Sequence, residues 1–592
     1  MKKTRLLALL LVLAMMAALM VGCSSKEEAA VEEAPAASEA PAEDAPPAEE
    51  APAEEEAPAE EAAPEIISGY TEIGTPIVSY VYELPLVPEG EDISFSVWAT
   101  TSDGLTQYLP NGFADTPGYQ ETEKLTGVKL DFTMTSSTVN SEKFNLMIAS
   151  QDYTDIITNI GQSWTQGYDY AIEEDIFIDL KDMVENDMIV YKALYDQLDD
   201  DTKRDLHTDN GYFPVLYSLN YDYAEQSEGP MIRRDYLEKV GMEIPVTYDD
   251  WDEVLHAFKT ELDLAQPLML PKGIVHTSNM MMSGFGVSGT FSTFPMVSEP
   301  YYQVDGQVKY GVVEPGFKEY MEMVSGWYAE GIISEEFMVL NDNPMGTTYT
   351  SQINGGAAGI FFADGMMIEN YITVGTDNDP NYDIWAIPDP VKEEGQIIHF
   401  LSKKSPIAGR LSQIVVTTAA ENLDILAKYL DWFFTDEGAI LAAGGPEGRA
   451  WEFDADGNKV RTEEWNNSDV PKNERNNVYS FGGLPLLSRE DMPEDETYPV
   501  QEAAGPIWEA NHDSAYVMPT TLSISAQESE DYAAVYNDIQ TYIEENLARF
   551  VTGDNPMSEW DAFVDHIMEM GLEDCIAIKQ AAVDRYYERS VG

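Results

Sequence analysis

The residues best suited to chemistry in this sequence are indoles that stand beside amides and carboxylates. Trp98 runs into Ser102 and Asp103 across a short hydroxyl-rich stretch, and Asn159 precedes Gln162, Ser163 and Trp164. An aromatic plate beside Asp, Asn or Gln suits a guest with an apolar ring face and a rim of hydroxyls, since the rings stack and the polar groups meet the rim. That chemistry holds a sugar without changing it. The six histidines, His207, His256, His276, His399, His512 and His566, are scattered singly, with no His-Glu-x-x-His spacing. Neither a Gly-x-Ser-x-Gly elbow nor a phosphate or dinucleotide glycine loop occurs. Accordingly no catalytic residue, metal ligand or cofactor is assigned. Paired carboxylates are so abundant that they keep one enzymatic alternative open, a surface glycosidase.

The elements that must position these groups read as alternating strands and helices. Residues 93–99 (ISFSVWA) alternate like a strand, a helix leads to Leu125-Thr126-Gly127, and 128–133 (VKLDFT) is a second strand. A helix over 142–150 and a short buried strand over 152–157 follow, which is the pattern of a parallel α/β layer. In such sheets ligands sit beyond the carboxyl ends of the strands, which places the Trp98 and Trp164 loops on one edge. Residues 211–219 (GYFPVLYSL) form an apolar, proline-marked strand before Asn220 and Tyr221. In 231–260, a helix over 233–240 stops at Gly241, Pro245 forces an extended step, and Thr247 caps a helix whose Trp251, Val254, Leu255 and Phe258 recur at helical spacing. Asp305-Gly306 marks a hairpin, 316–331 a helix, 354–362 a strand, and 423–441 one long amphipathic helix. Asp454-x-Asp456-Gly457-Asn458 is read as a plain hairpin turn, because the further oxygens and distal Glu of a calcium loop are out of register.

At 592 residues the chain exceeds what one core supports, so at least two lobes are expected, and 44 % hydrophobic content means that it folds. Residues 1–22 have a basic start, an apolar run and a small residue ahead of Cys23, the architecture of an export signal. Residues 24–65 are nearly pure Glu, Ala and Pro, with 15 acids and one lysine, and can bury nothing, so they form an extended tether on the order of 100 Å long. From Ile66 onward 92 acidic and 29 basic residues remain, a net of −63 within a total of −74. That balance disfavours nucleic acid and anionic membrane surfaces as partners. The second cysteine, Cys575, lies in a helical pattern and is expected to be a buried small apolar residue without a disulfide.

The stretch MIRRDYLEKVGMEIPVTYDDWDEVLHAFKT resembles the helix pair that opens the second lobe of extracellular solute-binding proteins of ABC importers, especially carbohydrate-type lipoproteins. LTGVKLDFTM and FNLMIASQDYTDII resemble the family's opening, although Gln151 and Tyr153 replace two usual positions; NGGAAGIFF, the Gly-x-Glu-Gly turn at 445–448 and MEMGLED match further along. Met20-Val21-Gly22-Cys23 resembles a lipobox whose cysteine is diacylated, which would anchor the chain stably to the membrane from outside. The resemblance implies a two-lobed α/β fold of the type II binding-protein kind, with lobe one over 66–213 and about 387–418, and lobe two over 218–383 and about 420–592. It implies a first hinge crossing near Tyr221 and a ligand site formed by Trp98, Asp103, Asn159 and Trp164 from lobe one with Tyr221, Asp364 and Trp451 from lobe two. The expected partners are a sugar or oligosaccharide and the permease subunits of an importer, with the protein a monomer. A peptide or other small solute in the same fold is the other alternative.

Overall fold

A computed structural model describes residues 66–589, apart from 102–103, 137–138, 165, 222–226, 271–280, 289–299, 336, 338–346, 402, 404, 408–411, 481–482, 491 and 493–496. Asp103, Cys23 and the tether therefore lie outside the described residues.

After a hairpin pairing Ile67–Tyr70 with Pro76–Val78, β1 (Ile93–Thr101) buries Phe95, Val97 and Ala99 on alternate positions. Next, α1 (Pro117–Thr126) starts with proline in its first turn and the Thr116 hydroxyl accepting from Tyr119 N–H, and it ends at Gly127, whose φ of 76° needs glycine. Then come β2 (Val128–Ser136), α2 (Asn140–Ser150), β3 (Ile156–Thr158), α3 (Asp200–Leu206) and the two-residue β4 (Leu216–Tyr217). The chain crosses into β5 (Glu228–Arg233), α4 (Arg234–Val240) and α5 (Tyr248–Leu262), which Thr247 and Asp250 open with a reciprocal capping box. In turn β6 (Gln266–Leu268), β7 (Ala358–Asp364), α6 (Ile368–Asn378) and β8 (Ile384–Ala386) complete that layer. The return runs through β9 (Gln413–Val416), α7 (Leu423–Trp432), α8 (Asp436–Gly444), α9 (Lys472–Tyr479), α10 (Pro499–Trp508) and α11 (Leu572–Glu588).

Two sheets result. Lobe one has five strands in the order β2-β1-β3-β9-β4, parallel through β3, with β9 running antiparallel between β3 and β4. Lobe two has four in the order β8-β5-β7-β6, with β5 antiparallel to both neighbours and β6 parallel to β7. Each sheet carries its own apolar core, Val97, Ile157 and Val415 in one and Trp251, Phe258 and Ile360 in the other. The expected assignment of everything after 420 to lobe two needs correction. Because β9 inserts into the lobe-one sheet, the helices that follow it land on that sheet: Leu426, Leu430 and Trp432 fill the lobe-one core, as do Leu484 and Leu487. The long helix expected over 423–441 is two helices, because Thr435 leaves the first and caps the second by accepting from Gly438 N–H. Cys575 is buried, and Asp305-Gly306 and Asp456-Gly457 turn their hairpins as read from sequence.

Candidate functional site

The parallel strands of lobe one end together at Thr101, Ser136 and Thr158, and the amino end of β9 meets them, since Ile414 pairs with Thr158. Asn159 takes the next position in a left-handed turn, φ 52°, and its N–H donates to the Gln413 carbonyl at 2.8 Å. At Gly161 a Cβ would stand 2.9 Å from Gln413 Nε2, so the loop lies close against the Gln413 carboxamide.

In lobe two, β6 and β7 end at Leu268 and Asp364, and antiparallel β5 begins at the same edge with Glu228 directly across the ladder from Asp364. Asp364 accepts from Met366 N–H at 2.7 Å, and Gly365 N–H donates to the Ser227 carbonyl. Beneath them the Trp508 indole of α10 lies against Gly229 and donates to the Pro230 carbonyl at 3.1 Å. Burial first, and the Asp364 charge second, push the Glu228 carboxyl up to about 7; burial also holds Asp364 above the usual carboxylate range. This bank therefore carries two neighbouring carboxyls held above their ordinary range, of which Glu228 titrates near neutrality.

The two lobes approach closely. Gly161, Tyr168, Thr208 and Gln413 of lobe one face Thr520 and Ser523 of lobe two across a cavity of about 100 Å³. That volume holds a few waters, whereas sites for small organic ligands run to roughly 300–1,000 Å³, so a disaccharide enters only if the lobes part. His207 on its wall is hydrogen-bonded through Nε2 to the Tyr195 hydroxyl at 2.8 Å, and burial pushes its pKa below the ordinary value. Hydroxyls, amides and carboxyls on both banks can accept and donate to a polar guest.

The indoles read from sequence are placed differently from Asn159 and Asp364. Trp98 is 6 % exposed, packs its edge on Phe144 and donates to Asn140 Oδ1 at 3.1 Å, so it is a core side chain. Trp164, 8 % exposed, stacks on Tyr170 and donates to the Gly167 carbonyl at 2.8 Å. Trp451 is 5 % exposed and forms a satellite cluster with Trp465 and Tyr479. That cluster follows α8 and lies on the lobe-one side, not in lobe two. Tyr221 likewise packs on the lobe-one core, and burial pushes its phenol up to about 12. Asp103 lies outside the described residues. Sequence reading missed Glu228, Gln413 and the 520–523 loop. Glu228 carried one signal, as the first charged residue of the strand after the crossing, and the 520–523 loop carried none.

A family model of the bacterial extracellular solute-binding proteins matches residues 99–440, more than half of the chain. The chain belongs to the bacterial extracellular solute-binding proteins. Among curated relatives of this solute-binding protein, the fructooligosaccharide ABC transporter substrate-binding protein FusA of Streptococcus pneumoniae is 24 % identical over 501 residues, covering 79 % of this chain and 86 % of that one. Lipoprotein LipO of Bacillus subtilis is 23 % identical over 402 residues, 64 % of this chain and 71 % of that one. A solved solute-binding protein of Bifidobacterium longum infantis, described as binding human milk oligosaccharides (HMO) and associated with an ABC transporter, superposes with a TM-score of 0.65 at 16 % identity, covering 84 % and 99 % of the two chains. This likeness establishes the two-lobed α/β fold. No helix among the described residues is long and apolar enough to cross a membrane.

Proposed function

We propose that this solute-binding protein captures an oligosaccharide between its lobes outside the cell, anchored by a lipidated Cys23, and passes it unchanged to the permease of an ABC importer. The observation that carries the reading is the cavity between the lobes, lined by Gly161, Tyr168 and Gln413 on one side and Thr520 and Ser523 on the other, in a chain of the solute-binding family. Relatives named for fructooligosaccharide and human milk oligosaccharide support the ligand class. Asn159 and Gln413 from lobe one, and Glu228 and Asp364 from lobe two, are the proposed contacts, each offering hydrogen bonds to sugar hydroxyls. Contacts to both lobes at once favour the closed form, and those to one lobe alone do not. The indoles are not part of this site, since each is committed to a core. A thermal-shift screen over fructooligosaccharides, milk-type oligosaccharides and short peptides tests the reading. A carbohydrate at a hundred times its Kd adds about 2.7 kcal/mol of stability. Reducing-end analysis afterwards is expected to return the sugar intact. Silence across every carbohydrate, or a shift with peptides alone, would remove the proposal.

A further inference from the structure

Among the described residues two groups of polar contacts that join the lobes differ in strength, one in the wall of the gap beside β4 and one toward β1. On the flank next to β4, the strand that leads into the first crossing, the end of α11 grips α3 and the loop after it. Asp209 accepts from Arg585 at 2.8 Å and Arg589 at 2.7 Å, while Asp205 accepts from the Tyr586 hydroxyl at 2.8 Å and that of Thr521 at 3.2 Å. Arg589 is 1 % exposed, and breaking this group would strand a buried charge. Toward β1, α9 rests on lobe one, touching the turn at Leu105–Gln107 that follows that strand. From there Lys472 Nζ reaches Glu369 Oε2 of α6, in lobe two, at 2.8 Å. Both side chains of that pair are 35 % exposed. The sheet order sets the geometry: β4 is the edge that leads into the crossing and β1 lies three strands away. The buried group is therefore near the hinge and the half-exposed pair is toward the mouth.

We propose that the Lys472–Glu369 pair is a latch that keeps the gap shut before ligand arrives, and that the lobes part by turning about the Asp209–Arg585–Arg589 clamp. A half-exposed ion pair is weak and screened by salt, whereas a buried multidentate one is neither, so the latch yields first. A latch of this strength biases the open and closed populations about two- to fivefold, enough to tune affinity without barring entry. The proposal rests on the gap being the ligand site, but its test uses no ligand, so it can fail while sugar binding stands.

The test is the distance distribution between spin labels on the full chain at Asn467→Cys and Asp377→Cys, both exposed and on opposite lobes. Cys575 is buried and does not label, and Cys23 is replaced by serine so that only the two introduced thiols react. At low salt the unmodified latch is expected to give mainly the short distance. Lys472→Gln is expected to raise the long-distance population two- to fivefold, 0.5 M NaCl to do the same without the substitution, and Lys472→Glu with Glu369→Lys to restore the short distance. Superimposable distributions for Lys472→Gln and the parent at both salts would overturn the latch, and so would a charge swap that behaves like Lys472→Gln.

Discussion

Glu228 faces Asp364 across a ladder and is mostly buried, so its ionisation sets one side chain against the fold. Its pKa in the folded chain is about 7 against an ordinary 4.5. The sign follows from linkage: a carboxyl raised on folding adds stability that is complete below its ordinary pKa and is lost as pH climbs through about 7. The loss is on the order of 3 kcal/mol. Glu228→Gln removes this dependence, so urea midpoints of variant and parent should differ more at pH 8 than at pH 5, with the variant the more stable at pH 8. Parallel pH profiles would contradict it. Asp431 is the opposite case, a buried carboxylate spent wholly on structure. It accepts from Val190 N–H at 2.8 Å, Tyr191 N–H at 2.6 Å and the Tyr82 hydroxyl, joining α7 to the start of the helix Ile189–Gln197. Asp431→Ala leaves three buried donors without this acceptor and is expected to cost about 3 kcal/mol in equilibrium unfolding, of which Asp431→Asn should recover only a part, because its amide nitrogen donates and cannot replace the second accepting oxygen.

Elements with local instructions were legible in the sequence, and those defined by tertiary neighbours were not. Thr247 and Asp250 fix the start of α5 by side-chain bonds to their own backbone, information contained within four residues. Thr247→Ala should therefore cost about 1 kcal/mol in urea unfolding, and Thr247→Ser almost nothing. By contrast, Trp98 and Trp164 had the right type and neighbours for a binding plate. Whether an indole faces a gap or a core depends on what covers it: Asn140 is 42 positions from Trp98, and Tyr170, although near Trp164 in sequence, reaches it through a turn at Gly167 that no spacing rule reveals. The same holds for β9, whose insertion between β3 and β4 depends on partners some two hundred residues earlier. Glu228 and Asp364 come together through strand register, which is equally non-local. The packing of α10 on the lobe-two sheet has one sharp check. A Cβ on Gly229 would stand 2.4 Å from Trp508 ring atoms, so Gly229→Ala should destabilise by about 1–3 kcal/mol through overpacking. An unchanged unfolding midpoint would mean that the indole is not seated there.

For the whole molecule, 107 acidic residues against 33 basic ones mean that, one to one, fewer than a third of the acids can be paired. The remainder repel one another, and repulsion spread over a surface is screened steeply as the Debye length falls from about 30 Å at 0.01 M to 3 Å at 1 M salt. Salt also weakens the attractive pairs, but most of these are exposed and contribute little, as with Lys129–Asp92 and Lys124–Glu121, so the loss of repulsion wins. Added NaCl is therefore expected to raise the melting temperature of this protein. The latch obeys the other sign, because at Lys472–Glu369 the screened interaction is attractive. One titration then has two opposed readouts: from 0.02 to 0.5 M NaCl, calorimetry should report a more stable fold while the spin-label distance reports more open lobes. A melting temperature that falls with salt would mean that the paired charges, rather than the unpaired excess, govern stability.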